Sequence, residues 1–176
     1  MVLVWQYGSN MNEERINSLN RLKGRAKFVG LAVKKGYRLS FTHTNIKGVG
    51  TADILEADPN DYVIGCLYEM AEDVLEEMDK VEGVNSGFYR RVEMNVARYN
   101  EKQLADFSDL VNATTYIVVN KEKKTKTNVE YANHILLGIV THKMGKPYFD
   151  KVKGIIVENN PSIQRDLLSY PWASPL

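Results

Sequence analysis

"KGVGTADILEADPNDYVIGCLYEM", residues 47–70, holds two β-prone runs on either side of a turn. Between them, Asp58-Pro59-Asn60-Asp61 supplies turn formers: proline presets a backbone angle, and Asp and Asn bond to nearby amides. The stretch is therefore expected to form a hairpin, two strands paired across that turn. The next stretch, "AEDVLEEMDKVEG", changes period. Val74, Leu75, Met78 and Val81 recur at helical spacing, and Gly83 stops the helix.

Working outward, Val2 to Trp5 is apolar and predicts a buried first strand ending at Tyr7. Asn10 or Asn12 would cap a helix through "EERINSLN", with Glu13 and Glu14 in its first turn, where the helix dipole favours them. "AKFVGLAVKKGYRLSFTHT" predicts two strands around Lys35-Gly36. Downstream, "FYRRVEMNVARY" and "ATTYIVVN" predict strands. "NVEYANHILLGIVTHKMG" and "PYFDKVKGIIVENN" predict helices joined at Gly145-Lys146-Pro147, and "SIQRDLLSY" a last short one. Strands fill the first two-thirds and helices the last third. That order predicts an α+β class with a largely antiparallel sheet or small barrel, not repeated βαβ units.

The 176 residues suffice for one domain and are short for two. With 23 basic and 22 acidic residues the net charge is +1, which argues against a broad phosphate-facing surface. The basic run "KEKKTKTN", residues 121–128, is expected to be a solvated loop or strand end. No nucleic-acid or membrane partner is expected. Cys66 is the one cysteine, so no internal disulfide can form, and its apolar neighbours place it in a strand as a small hydrophobe. Residues 1–5 are too short for a signal-peptide core, so a cytoplasmic location is the expectation.

Several chemistries lack their motifs. There is no P-loop, and "GVGTAD" is a weak fragment of a dinucleotide fingerprint. His43, His134 and His142 fall in different elements without ligand spacing, so no metal site is expected. Ser9 and Ser86 have no nucleophile elbow.

Two stretches remain. Tyr7-Gly8-Ser9-Asn10 forms a tight strand-to-helix turn on the plain reading, with Gly8 taking unusual backbone angles. Such a turn also aims backbone N–H groups into one concavity, a cradle for a carboxylate. Glu82 sits at the C-terminal end of its helix, where negative charge is unfavourable, and precedes a small-residue loop. Partial burial there would raise its pKa toward the range of proton transfer.

Tyr7-Gly8-Ser9-Asn10-Met11, followed some seventy residues on by Glu82-Gly83-Val84-Asn85-Ser86-Gly87-Phe88-Tyr89, resembles the gamma-glutamylcyclotransferase family and its AIG2-like relatives. The segment before the Glu82 helix and "VEYANHILLGIVTHKMGKPYFDKV" resemble it too. The likeness runs from residue 1 to about 155. It leaves 160–176 as a C-terminal extension of a single domain, 1–176. Gln6 departs from the pattern, standing where such proteins more often have a small residue.

The resemblance implies a small β-barrel with flanking helices and a reaction without cofactor. In it a gamma-glutamyl α-amine attacks its own γ-carbonyl, releasing 5-oxoproline and an amine or amino acid, as in glutathione metabolism. It implies Glu82 as general base and acid. Tyr7, Gly8, Ser9 and Asn10 would bind substrate, with the loop amides on its carboxylate. Tyr89 is either an ordinary strand aromatic or a pocket wall. Tyr131 matches a tyrosine near the substrate. Tyr116 has no such match and is expected in the core or on a sheet face. Of Arg90 and Arg91, strand alternation lets at most one face the pocket. Residues 100–112 and 120–128 are candidates for the leaving-group rim. Such relatives include homodimers, so a second copy is a candidate partner, and the tail "PWASPL" with Trp172 a candidate contact. The alternative is a non-catalytic protein that holds a small carboxylate on the same fold. Glu82 separates the two, because an anion binder gains nothing from a carboxylate there.

Overall fold

A computed structural model of the chain describes residues 1–99 and 109–171. The residues belong to an α+β fold whose centre is a closed five-stranded barrel in the order β1-β5-β2-β6-β7. Its strands are β1 (Val2–Gln6), β2 (Lys27–Lys35), β5 (Tyr62–Met70), β6 (Tyr89–Tyr99) and β7 (Leu110–Val118). All pairs are antiparallel except the seam, where β1 runs parallel to β7 with Val4 opposite Thr114. The remaining strands, β3 (Tyr37–Thr44) and β4 (Gly50–Glu56), form a separate two-stranded sheet.

This pairing corrects the expected hairpin across Asp58–Asp61. The turn exists, with Asp61 N–H donating to the Asp58 carbonyl at 2.8 Å, but it joins strands of different sheets. Both edges of β5 are already taken, by β1 and β2, so β4 pairs back onto β3. Alternation marks a strand without naming its neighbour.

The four helices are α1 (Glu13–Ile16), α2 (Glu72–Val81), α3 (Val129–Thr141) and α4 (Lys146–Asn159) among the described residues. Asn12, not Asn10, caps α1, its side chain accepting from the Glu14 and Arg15 N–H groups. The helix is much shorter than expected. Asn17 ends it by bonding Ala26 with both halves of its amide, at 2.9 Å each, which bends the chain toward β2. The α2 helix buries Val74, Leu75 and Met78, and ends as predicted at Gly83 in the left-handed conformation. Asn128 caps α3 through the Tyr131 N–H, and α4 starts behind Gly145 with Pro147 in its first turn. The "SIQRDLLSY" helix is a short 3₁₀ turn, Pro161–Asp166. Trp172 and the end of the tail lie outside the described residues.

The barrel core holds Val4, Trp5, Ile64, Leu67, Tyr68 and Met70, all essentially solvent-free. Cys66 is buried in β5 as expected, and burial pushes its thiol up, which keeps it unreactive. The basic run 121–128 is a loop with its lysines exposed, as expected, and it is tied down at several points. Glu122 accepts from the Thr44 N–H and hydroxyl, Lys121 pairs with buried Asp53, and Thr125 and Thr127 are buried. No helix of the described residues is long and apolar enough to cross a membrane.

Candidate active site

The chain leaves β1 through Tyr7 and turns at once, with Met11 and Asn12 N–H donating back to the Gly8 and Ser9 carbonyls. These bonds leave the N–H groups of the preceding residues unused by the turn, as at any helical start. With only four residues, α1 adds little dipole behind them. Gly8 has φ −107° and ψ −146°, outside the helical and extended regions but not left-handed. Space is also tight, because a Cβ would lie 3.0 Å from that of Ala52. The turn is clamped from behind. Tyr68 Oη lies 3.2 Å from the Asn10 carbonyl and 3.3 Å from that of Met11, and His142 Nε2 lies 3.0 Å from the latter. Gly138 of α3 lets that helix rest directly on the Met11 backbone.

In front of the turn is a cavity of about 300 Å³. Every residue expected at the site lines it: Tyr7, Gly8, Ser9, Asn10, Glu82, Tyr89 and Tyr131. Asn10 Nδ2 donates to Glu82 Oε1 at 2.8 Å, joining the two motifs directly. Glu82 caps the C-terminal end of α2. Burial pushes its pKa up to about 7, against the pull of the Arg21 and Arg15 charges and the Asn10 bond. It is thus a carboxylate that holds or releases a proton near neutrality.

The tyrosines are fixed by their hydroxyls. Tyr89 Oη lies 2.8 Å from both Thr51 Oγ1 and the Ala52 carbonyl. Tyr131 accepts from the Ala52 N–H at 3.0 Å. Tyr7 donates to the Tyr116 carbonyl on the neighbouring strand β7. Tyr116 belongs to the buried core, as expected, and also lines the cavity. Its hydroxyl donates to Asp79 on α2 at 2.8 Å.

Arg15 and Arg21 also line the cavity, and sequence reasoning missed both. Arg15 Nε donates to Ser9 Oγ at 3.1 Å, and Arg21 Nη1 to Asn10 Oδ1 at 3.0 Å. Neither has a carboxylate within salt-bridge distance among the described residues. Arg15 follows the Tyr7 motif by eight residues, a signal within reach; Arg21 arrives only because α1 ends early. Arg90 and Arg91 are absent from the lining, and Arg91 pairs instead with Asp79 at 2.6 Å. The rim comes from His43, Asn45, Ile46 and Phe88 rather than from 109–112 or 120–128. Residues 100–108 of the expected rim lie outside the described residues.

A closed five-strand barrel with helices against it, and a turn after the first strand facing a glutamate at the end of a helix, is the gamma-glutamyl cyclotransferase fold. A solved gamma-glutamyl cyclotransferase superposes with a TM-score of 0.75 at 27% identity, covering 88% of this chain and 87% of that one. By sequence the chain is 28% identical over 158 residues to the gamma-glutamylcyclotransferase of Homo sapiens, covering 87% of this chain and 78% of the human protein. The Mus musculus protein of that name is likewise 28% identical, over 160 residues. Residues 62–152 match the model of the AIG2-like family, and the chain belongs to that family.

Proposed function

We propose that this chain is a gamma-glutamyl cyclotransferase with Glu82 as its proton shuttle. The carrying observation is a half-buried glutamate with a pKa of about 7, hydrogen-bonded by Asn10 at the wall of a cavity lined by the Tyr7–Asn10 turn.

The chemistry follows from what such a site must do. The substrate's α-ammonium loses a proton to the Glu82 carboxylate. The free amine attacks the γ-carbonyl carbon, forming a C–N bond and closing the ring. Glu82 returns its proton to the departing nitrogen and accepts the second proton that the ring nitrogen sheds, which leaves with the released amine as its ammonium; the original γ-amide bond breaks, and 5-oxoproline and an amine or amino acid leave. No proton is gained or lost overall, so one carboxylate suffices as base and acid. The turn's backbone N–H groups and the two guanidiniums supply charge for the substrate α-carboxylate. Tyr7, Tyr89 and Tyr131, held by their hydroxyl bonds, wall a space that folds the substrate back on itself. Orienting an internal nucleophile in this way contributes up to roughly 7–11 kcal/mol in the best cases. The substrate is a small gamma-glutamyl compound, and no cofactor takes part.

The test is a panel of gamma-glutamyl amino acids, gamma-glutamyl amines and glutathione, with 5-oxoproline detected by mass spectrometry and Glu82→Gln as the blank. Release that vanishes in the blank supports the reading and identifies the leaving group. An inactive wild type that still binds 5-oxoproline makes the protein a carboxylate binder instead.

A further inference from the structure

Gln6 closes β1 and faces the cavity, yet it is only 6% exposed. Its Nε2 has no hydrogen-bond partner, a condition shared by only one other buried side-chain polar atom among the described residues, Thr127 Oγ1. A buried amide donor left unmade costs stability, so such a group calls for a reason.

The neighbouring bonds fix which end of the Gln6 amide is left over. Arg21 can only donate, so the Asn10 oxygen must face it, at 3.0 Å. The Asn10 nitrogen is thereby turned the other way, where it reaches Glu82 Oε1 at 2.8 Å and Gln6 Oε1 at 3.3 Å. Gln6 must then present its oxygen to Asn10, because turning its amide over would oppose two donors. One guanidinium thus sets the polarity of both amides, and the end left over is the Gln6 N–H₂ group, on a residue that lines the same cavity as Glu82.

We infer that Gln6 is a substrate-contacting residue whose Nε2 donates to an acceptor oxygen of the bound gamma-glutamyl group. This rests on the proposed function. Two oxygens carry the right chemistry, the γ-carbonyl, which gains negative charge as the amine attacks, and the α-carboxylate. A donor to the first acts mainly in the transition state, and a donor to the second acts in binding.

Gln6→Glu keeps the size and the oxygen that Asn10 needs, and replaces only the donor. Gln6→Met removes the donor without adding charge. Both are to be compared with wild type for 5-oxoproline release, with thermal unfolding to verify the fold. The expected result is a fall in kcat/KM of about tenfold or more in Gln6→Met, and a larger one in Gln6→Glu. A fall in kcat alone assigns the carbonyl; a rise in KM assigns the carboxylate. The pH midpoint of Gln6→Met should stay at the wild-type value, since Asn10 still holds Glu82. A midpoint that moves with the rate would mean that Gln6 acts only by positioning Asn10, and would overturn the inference. As a direct readout, the Gln6 side-chain N–H₂ resonances should shift on adding 5-oxoproline.

A folded, active Gln6→Met within twofold of wild type, with no resonance shift, overturns this inference and leaves the proposed function standing. A wild type that neither releases nor binds 5-oxoproline overturns both.

Discussion

Two carboxylates of this molecule are treated in opposite ways. Asp53, on β4, is fully buried, and three donors converge on it: Thr42 Oγ1 at 2.7 Å, the Val118 N–H at 3.1 Å, and Lys121 Nζ. Glu82 has one neutral side-chain donor, Asn10, and two guanidiniums that approach without pairing. The first arrangement ties β3, β4 and β7 together. The second leaves a carboxylate free to exchange its proton. The two carboxylates thus differ both in burial and in the number of donors that hold them.

Substitutions sharpen this contrast. The largest effect is expected on turnover: Glu82→Gln should lower 5-oxoproline release by about 10²–10⁴-fold, measured by kcat, while binding of 5-oxoproline persists. Asp53→Ala should leave activity per folded molecule intact but destabilise the protein by about 3–5 kcal/mol in urea unfolding, because it strands buried donors. Equal damage to stability from both substitutions would abolish the distinction.

Stability should show the contrast with opposite sign. Burial raises the folded-state pKa of Glu82 above its ordinary 4.5, to about 7. Between these values the folded protein binds more protons than the unfolded chain, so this group's contribution falls as pH rises through that window. Glu82→Gln should therefore melt above wild type on the alkaline side of about pH 7, and the two should converge on the acid side of about pH 4.5. Asn10→Ala removes a bond to the charged form of Glu82, so the acid limb of the kcat/KM profile should move upward, by about one pH unit or less. The smallest change is Tyr116→Phe. It loses the bond to Asp79, where Arg91 already pairs, and should cost about 1 kcal/mol or less by urea unfolding.

The parts of the site that were legible in the sequence are those held in short contiguous motifs. Tyr7 to Asn10 and Glu82 stand out as local patterns, and the fold brings both to one cavity. Arg21, His43 and Tyr116 were hidden for a different reason. Their cavity positions come from an early end to α1, from the β3–β4 sheet lying apart from the barrel, and from a strand face chosen by tertiary packing. The strands were visible as strands, but nothing in "ILEADPNDYVIG" discloses that β5 already has neighbours on both edges.

The parallel seam has a consequence for how the molecule is made. Val4 pairs with Thr114, so a chain emerging from the ribosome exposes its first strand long before that strand's last neighbour exists. Tyr131 is later still, on α3, yet its hydroxyl sets the wall above Gly8. Contacts of such sequence separation form slowly, because loop-closure entropy must be met first. The Tyr7–Asn10 turn is synthesised long before the segments that complete its wall, so a nascent chain halted before α3 should carry the whole motif and Glu82 and still release no 5-oxoproline.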